Sequence, residues 1–429
     1  MSHPTRNKLF VMMVLELFIW GAWLPLIWPY MTGLGFTGGQ QAWVGSAFAV
    51  ASVLAIFFSN QFADRNFASE RFLAFSHLIG GLAMLGLFFT KSFIPFFTLM
   101  LIHSIFYVPT LSVANSLAFA NLKNPQKEFG PVRMGGTVGW ILASWPLYFV
   151  LKGTEGAALQ NALGYIFIVA GVASLLLSAY CLTLPHTPPK PAVGEVNRFA
   201  WLESFRLLRH PYLLVLFIVT FIDATIHNGY FVMVGGFLQK IGIKPENIMP
   251  IMSIGQIAEI VTMLILGAVL ARFGWKTTMI IGVLGHAVRF GVFAFMPFNH
   301  TAIIAVQVLH GICYAFYFAT VYIFIDAAFP KDVRASAQGL FNLLILGLGD
   351  LAAKWLFIPL QARLTTAAPT GESVIEATSE VAAVVTVTDY HTLFLVPTAM
   401  ALGAAILLAL FFRPPAHVQA AGEAAAAPH

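Results

Sequence analysis

The chain runs to 429 residues, 59% of them hydrophobic and 10% charged, with a mean hydropathy of +0.82. Apolar stretches of about 20 residues, the length that crosses a bilayer, recur from end to end and exclude a water-soluble protein. The net charge of +5 lies mostly in loops on one side of those stretches, where it reads as a topology signal and lends no support to a nucleic-acid role.

Twelve spans are predicted, near 8–30, 43–63, 72–90, 93–120, 130–151, 162–184, 211–236, 248–271, 276–296, 300–326, 335–362 and 391–412. The first starts close to the N-terminus without a small-residue cleavage site, so it is expected to be a permanent helix and not a signal peptide. Arg6, Lys8, Arg65, Lys127, Arg206, Arg272 and Lys331 fall with further basic residues on one face of this arrangement. The other face holds Lys91, Lys152, Lys240, Lys244 and Arg363. Basic loops stay cytoplasmic, so both termini are expected inside the cell.

The chain divides at 185–210. That stretch opens Leu-Pro-His-Thr-Pro-Pro-Lys-Pro, which cannot continue a helix, and closes on the amphipathic run Trp201–Arg209, suited to the membrane surface. The expected organisation is an N-terminal six-helix half over 1–184, a cytoplasmic linker over 185–210, a C-terminal half over 211–412 and a disordered tail over 413–429. Cys181 and Cys313 lie in different spans without ligand-like spacing, so they are read as core filler, with no metal site or cofactor expected.

A charged side chain costs about 2.5–3.5 kcal/mol at mid-bilayer on insertion scales, so ionisable residues inside spans mark where function is sought. In span 1, Glu16, Trp20 and Trp23 share one helical stripe: an acid beside two indoles suits a polar ligand with a flat apolar face. Arg133, Thr137 and Trp140 repeat that spacing in span 5. Span 7 carries Asp223, Thr225, His227 and Asn228, with Gly229, Gly235 and Gly236 expected to make it easy to bend. Gln256 and Glu259 stand one turn apart in span 8 and are expected to face a cavity. Tyr314 and Tyr317 follow His310 in span 10. His103 and His310 are read as a structural pair, each satisfied by one backbone carbonyl. His286 with Arg289, and Asp350 with Lys354, are read as intramembrane pairs. The loop bearing Glu372, Glu376, Glu380 and Asp389 is expected to be solvated.

His103-Ser-Ile-Phe-Tyr107 recurs as His310-Gly-Ile-Cys-Tyr314, 207 positions later. The loop after span 2 has Asp64-Arg65, and Arg272 follows Arg65 at the same offset. Pro131-Val-Arg133 is matched by Asp332-Val-Arg334. Three matches in one order indicate a parallel duplication, which places a substrate site between the halves. The chain resembles the major facilitator superfamily; the loops Asp64-Arg65 and Arg272–Lys276 look like its signature loop, which implies that Asp64, Arg65 and Arg272 latch neighbouring helices.

A closer resemblance rests on Trp20-Gly-Ala-Trp23, Tyr107-Val-Pro-Thr110, Val132-Arg-Met-Gly-Gly-Thr-Val-Gly139, Ile251–Glu259 and Val333-Arg-Ala-Ser-Ala-Gln-Gly339. These segments are similar to the nucleoside–proton symporters, the bacterial nucleoside permeases. The resemblance implies an all-α membrane protein of twelve transmembrane helices in two pseudo-symmetric halves, the major facilitator fold. It further implies that Arg133, Thr137, Asn228, Gln256 and Glu259 line the cavity, with Trp140 stacking on the base. Trp20, Trp23, Thr225, Tyr314 and Tyr317 complete the expected substrate site, and Glu16, Glu259 and Asp223 are the candidate proton carriers. Three positions depart from the family pattern. Ala315 stands where an aspartate is common, Glu16 where a glutamine is familiar, and Thr225 where a larger amide is expected.

No Gly-x-Ser-x-Gly, His-Glu-x-x-His or Walker loop occurs, so enzyme chemistry and ATP-driven transport are not expected. The expectation is a monomeric carrier importing nucleosides with protons by alternating access. A carrier of sugars or sugar-bearing metabolites, or an exporter of amphipathic compounds, fits the same residues.

Overall fold

The computed structural model describes residues 3–55, 66–189, 207–328, 338, 340–367 and 386–414. Span 1 is His3–Trp23 continued by Ile27–Gly33, interrupted at Pro25, which has no N–H to offer the helix. Span 2 is Gly38–Leu54, span 3 Ser69–Phe89 and span 4 Phe93–Asn121. Spans 5 and 6 are each built of two pieces, Pro125–Leu142 with Ser144–Leu151 and Gly156–Leu163 with Tyr165–Cys181. Span 7 is Pro211–Lys240.

Spans 8 and 9 run as Pro245–Phe295, broken at Gly274, whose φ of 70° and ψ of 175° lie in a region nearly reserved for glycine. Span 10 covers His300–Ala328, span 11 Leu340–Arg363 and span 12 Tyr390–Phe411. Ten helical stretches are long and apolar enough to cross a membrane; dividing the one at Gly274 and adding span 2 gives twelve segments among the described residues. Spans 10 and 11 each contain a wide π-helical turn, Tyr314–Ala319 and Leu343–Leu348, a feature common beside functional sites.

Within the first six spans, span 1 packs along spans 5 and 6, and span 3 along spans 4 and 6. Span 1 meets span 5 almost backbone to backbone, because a side chain on Gly139 would overlap the Val14 carbonyl. Spans 2 and 11, and spans 5 and 8, join the two groups of six.

Span 7 is one helix, Pro211–Lys240, in which Gly229 lies under the Phe357 ring and Gly235 under the Pro25 carbonyl. Between spans 11 and 12, Thr365–Ala367 and Thr386–Thr388 form a short antiparallel ribbon. Asp389, exposed beside it, caps span 12, accepting from the Thr392 hydroxyl at 2.6 Å and amide at 3.0 Å. Those bonds hold its carboxyl below the usual carboxylate range. One expectation needs correcting: His310 is not satisfied by a backbone carbonyl, as described below. Cys181 and Cys313 are buried free thiols. Asp64, Arg65, Trp201–Arg206, Lys331, Arg334, Glu372, Glu376, Glu380 and the tail from 415 lie outside the described residues.

Candidate functional site

A cavity of about 590 Å³ lies between the two groups of six spans, within the range of about 300–1,000 Å³ usual for small-molecule sites. Trp20 and Trp140 form an aromatic wall, edge to face at 5.6 Å; Phe48 stacks behind Trp20 at 4.7 Å and Phe231 meets Trp140 at 5.6 Å. Arg133, Thr137, Asn228, Gln256, Glu259 and Tyr314 supply polar groups to the same space. Arg133 forms no ion pair among the described residues, and its charge acts on Glu259. The Gln256 carbonyl oxygen, the Trp20 indole nitrogen and His227 Nδ1 are buried without a protein partner. All three residues border the cavity, although among the described residues such atoms also occur away from it, at Asp223, Trp275 and Gln307.

Glu16 also borders the cavity, yet its carboxylate turns into the first six spans. One oxygen meets His77 Nε2 of span 3 at 2.9 Å and the other meets the Thr110 hydroxyl of span 4 at 2.5 Å. Tyr107 donates to the Glu16 backbone carbonyl at 2.6 Å. His77 carried no signal in the sequence beyond being a histidine inside a span.

The other six spans bury a second network. Arg289, wholly buried, lies over the Tyr230 ring at 4.2 Å. Its guanidinium reaches His310 Nδ1 at 2.8 Å and His286 Nδ1 at 3.0 Å. A guanidinium only donates, so both Nδ1 atoms accept and both rings carry hydrogen on Nε2. For His286 that hydrogen faces Asp223 at 3.7 Å. The His310 ring borders the cavity. His103 does find a backbone carbonyl, that of Gly80, at 3.1 Å, so the two matched histidines have diverged in partners.

The cavity reaches Phe119, Phe129, Gln338 and Asn342, on the side where odd-numbered spans begin. The opposite side is closed. There Trp43 meets Trp355 at 5.4 Å, Trp355 donates to Ser46 at 3.0 Å, and Asp350 pairs with Lys354. Trp23 lies beneath this closure with Asn228 and Asp350 in a small adjoining pocket that shares Trp20, Asn228 and Phe231 with the cavity. Thr225 is buried, donating to the Phe221 carbonyl at 2.8 Å. Tyr317 is buried against Thr220 at 2.9 Å. Asp223 is fully buried. These three do not border the cavity. Arg272 is exposed and stacks on Phe273. His227, Phe231, Tyr322 and Asn342 border the cavity without having been singled out for it; only a tertiary map turns them there.

The family model for nucleoside H+ symporters matches residues 3–417. The chain is 33% identical over 352 residues to YegT of Escherichia coli K12, a candidate nucleoside transporter, covering 81% of this chain and 82% of that one. It is 31% identical over 371 residues to a xanthosine permease of the same strain, covering 81% and 85%. Among solved structures, the nucleoside transporter NupG superposes with a TM-score of 0.80 at 22% identity, covering 96% of this chain and 100% of the other. A D-xylose–proton symporter superposes at 0.69 and 14% identity, over 96% and 98%. The fold is therefore that of the major facilitator superfamily.

Proposed function

The chain belongs to the nucleoside H+ symporter family, and on that premise we propose that it imports nucleosides with protons by alternating access. The observation that carries this reading is the single cavity combining an indole wall with carboxamide, carboxylate and guanidinium groups. A nucleobase presents a flat face and polar edges, and a ribose presents hydroxyls; this lining answers both. Trp140 and Trp20 flank the base. Gln256, Glu259 and Asn228 hydrogen-bond ribose or base edge, and Arg133 and Thr137 close the polar ring.

In this reading the halves 1–184 and 211–412 rock about the cavity, with 185–210 tethering them. Basic loops and both termini face the cytoplasm, so the state described is open inward. Proton binding is assigned to a carboxylate at the cavity, Glu16 or Glu259. A proton taken up from outside permits substrate binding and inward rocking, and its release inside with the substrate leaves the empty carrier to return outward.

The test is uptake of labelled uridine and adenosine into proteoliposomes, with and without an inward proton gradient. Accumulation that collapses with a protonophore is expected. No flux from folded, correctly oriented protein overturns the reading, and sugars are then assayed.

A further inference from the structure

Asp223 stands 207 positions after Glu16, the same offset that separates His103 from His310. The two acids are thus repeat counterparts in spans 1 and 7. Each meets a histidine of the third span of its half: Glu16 meets His77 at 2.9 Å, and Asp223 faces His286 at 3.7 Å. Each half thus buries an acid near a histidine, although at this offset His77 matches Leu284 and not His286, and the surroundings of the two acids differ in a way that decides what each can do.

In the C-terminal pair, Arg289 stands beside the histidine. Its two N–H groups occupy the accepting nitrogens of His286 and His310, and its fixed cation balances Asp223. A further proton on either ring would have to break a guanidinium hydrogen bond and place a second cation against the first, so neither histidine of that network is free to take one up.

The N-terminal pair has no such lock. His77 Nδ1 faces the Ser174 hydroxyl at 3.4 Å, while that hydroxyl donates to the His77 carbonyl at 2.9 Å. Ser174 oxygen is therefore free to accept from a protonated Nδ1. The Thr110 hydroxyl has one hydrogen and two oxygens in reach at 2.5 Å, Glu16 Oε1 and the Tyr107 carbonyl. When Thr110 serves Glu16, the carboxylate is ionised. When it turns to the Tyr107 carbonyl, its oxygen accepts a hydrogen from neutral Glu16. Both protonation states thus have a complete set of hydrogen bonds without moving a helix. The other groups facing the pair are His103 and Tyr107 from span 4, Cys181 from span 6, and the charge of Arg133 from span 5.

We propose that Glu16 and His77 together form the proton-binding site of this carrier, whereas the accepting nitrogens of the histidines near Asp223 are taken up by Arg289. The assignment rests on proton-coupled transport as proposed above. It is also consistent with Ala315, buried in span 10: no carboxylate is needed there when the exchangeable proton resides between spans 1 and 3. Added to the ionised Glu16 and neutral His77, one proton takes the pair from net −1 to neutral, resting on the carboxyl or on the ring.

Infrared difference spectra of the purified protein across a pH jump read the pair without substrate, and proteoliposome flux reads its consequence. The expected result is a protonated-carboxyl band that disappears in Glu16→Gln and is displaced in His77→Gln. In both variants the nucleoside accumulation ratio falls to 1, while counterflow exchange, which needs no net proton movement, persists. Should E16Q not fold, H77Q carries the test. An unchanged band in E16Q, or wild-type accumulation and pH dependence in either variant, overturns the proposal. If the band behaves as expected but wild-type protein moves no nucleoside, the pair stands as a proton site and the nucleoside reading falls.

Discussion

Single side chains around the cavity divide into those that contact cargo and those that set charge. Trp140, half-buried between Trp20 and Phe231, is placed to stack on a base. Base–aromatic stacking is worth about 1–3 kcal/mol, so Trp140→Ala should raise the KM for uridine roughly 5- to 150-fold; equal KM with lowered maximal rate would make it a packing residue instead. Arg289 is of the second kind. Replacing it with Met leaves Asp223 buried without a compensating charge, a situation that costs about 3–5 kcal/mol in other proteins. Thermal unfolding in detergent should show a clear loss of stability, partly restored when Asp223→Asn is added.

Elements here are shaped by where backbones must come close. Gly274 separates spans 8 and 9 with a conformation that other residues adopt only under strain, although open space surrounds it. Gly274→Ala should therefore cost about 1–3 kcal/mol from backbone strain alone, measurable as a lower unfolding temperature with the cavity unaltered. Gly139 differs, since its difficulty is the Val14 carbonyl opposite. Gly139→Leu should force spans 1 and 5 apart, displacing Trp20 and Trp140 together, and abolish binding of uridine and adenosine alike in equilibrium dialysis. The π turn at Tyr314–Ala319 re-aims span 10, leaving Tyr314 on the cavity while Tyr317 turns inward. Helical spacing alone put both on one stripe.

For the whole molecule, the closed side is a set of contacts that must part in each cycle. Gly45 sits against Trp28 and the Lys354 stem, where a bulkier side chain cannot fit without separating spans 2 and 11. Gly45→Val should disfavour the state described. A shift of about 1.4 kcal/mol changes the ratio of states tenfold. A cysteine introduced at Asn115, on the open end of the cavity, should then react more slowly with a thiol reagent applied from the cytoplasmic side. Unchanged labelling would show that spans 2 and 11 absorb the bulk without reorienting.

By itself the amino-acid sequence determined the span architecture and the family, and pointed to a repeat and to part of the cavity wall. Those depend on apolar length, on like residues at like offsets, and on polar side chains that lipid cannot satisfy, all of which are local properties of the chain. Glu16 was legible as an unusual acid, and Arg289 with His286 as neighbours on one helix. That Glu16 meets His77 and Thr110, that Arg289 takes up His310 instead of leaving it to a carbonyl, and that Trp23, Thr225 and Tyr317 turn from the cavity were decided only by tertiary structure. Partners 61 or 94 positions apart are chosen by how helices cross and rotate against one another. Helix rotation follows from the packing of whole surfaces, which no spacing within one span encodes.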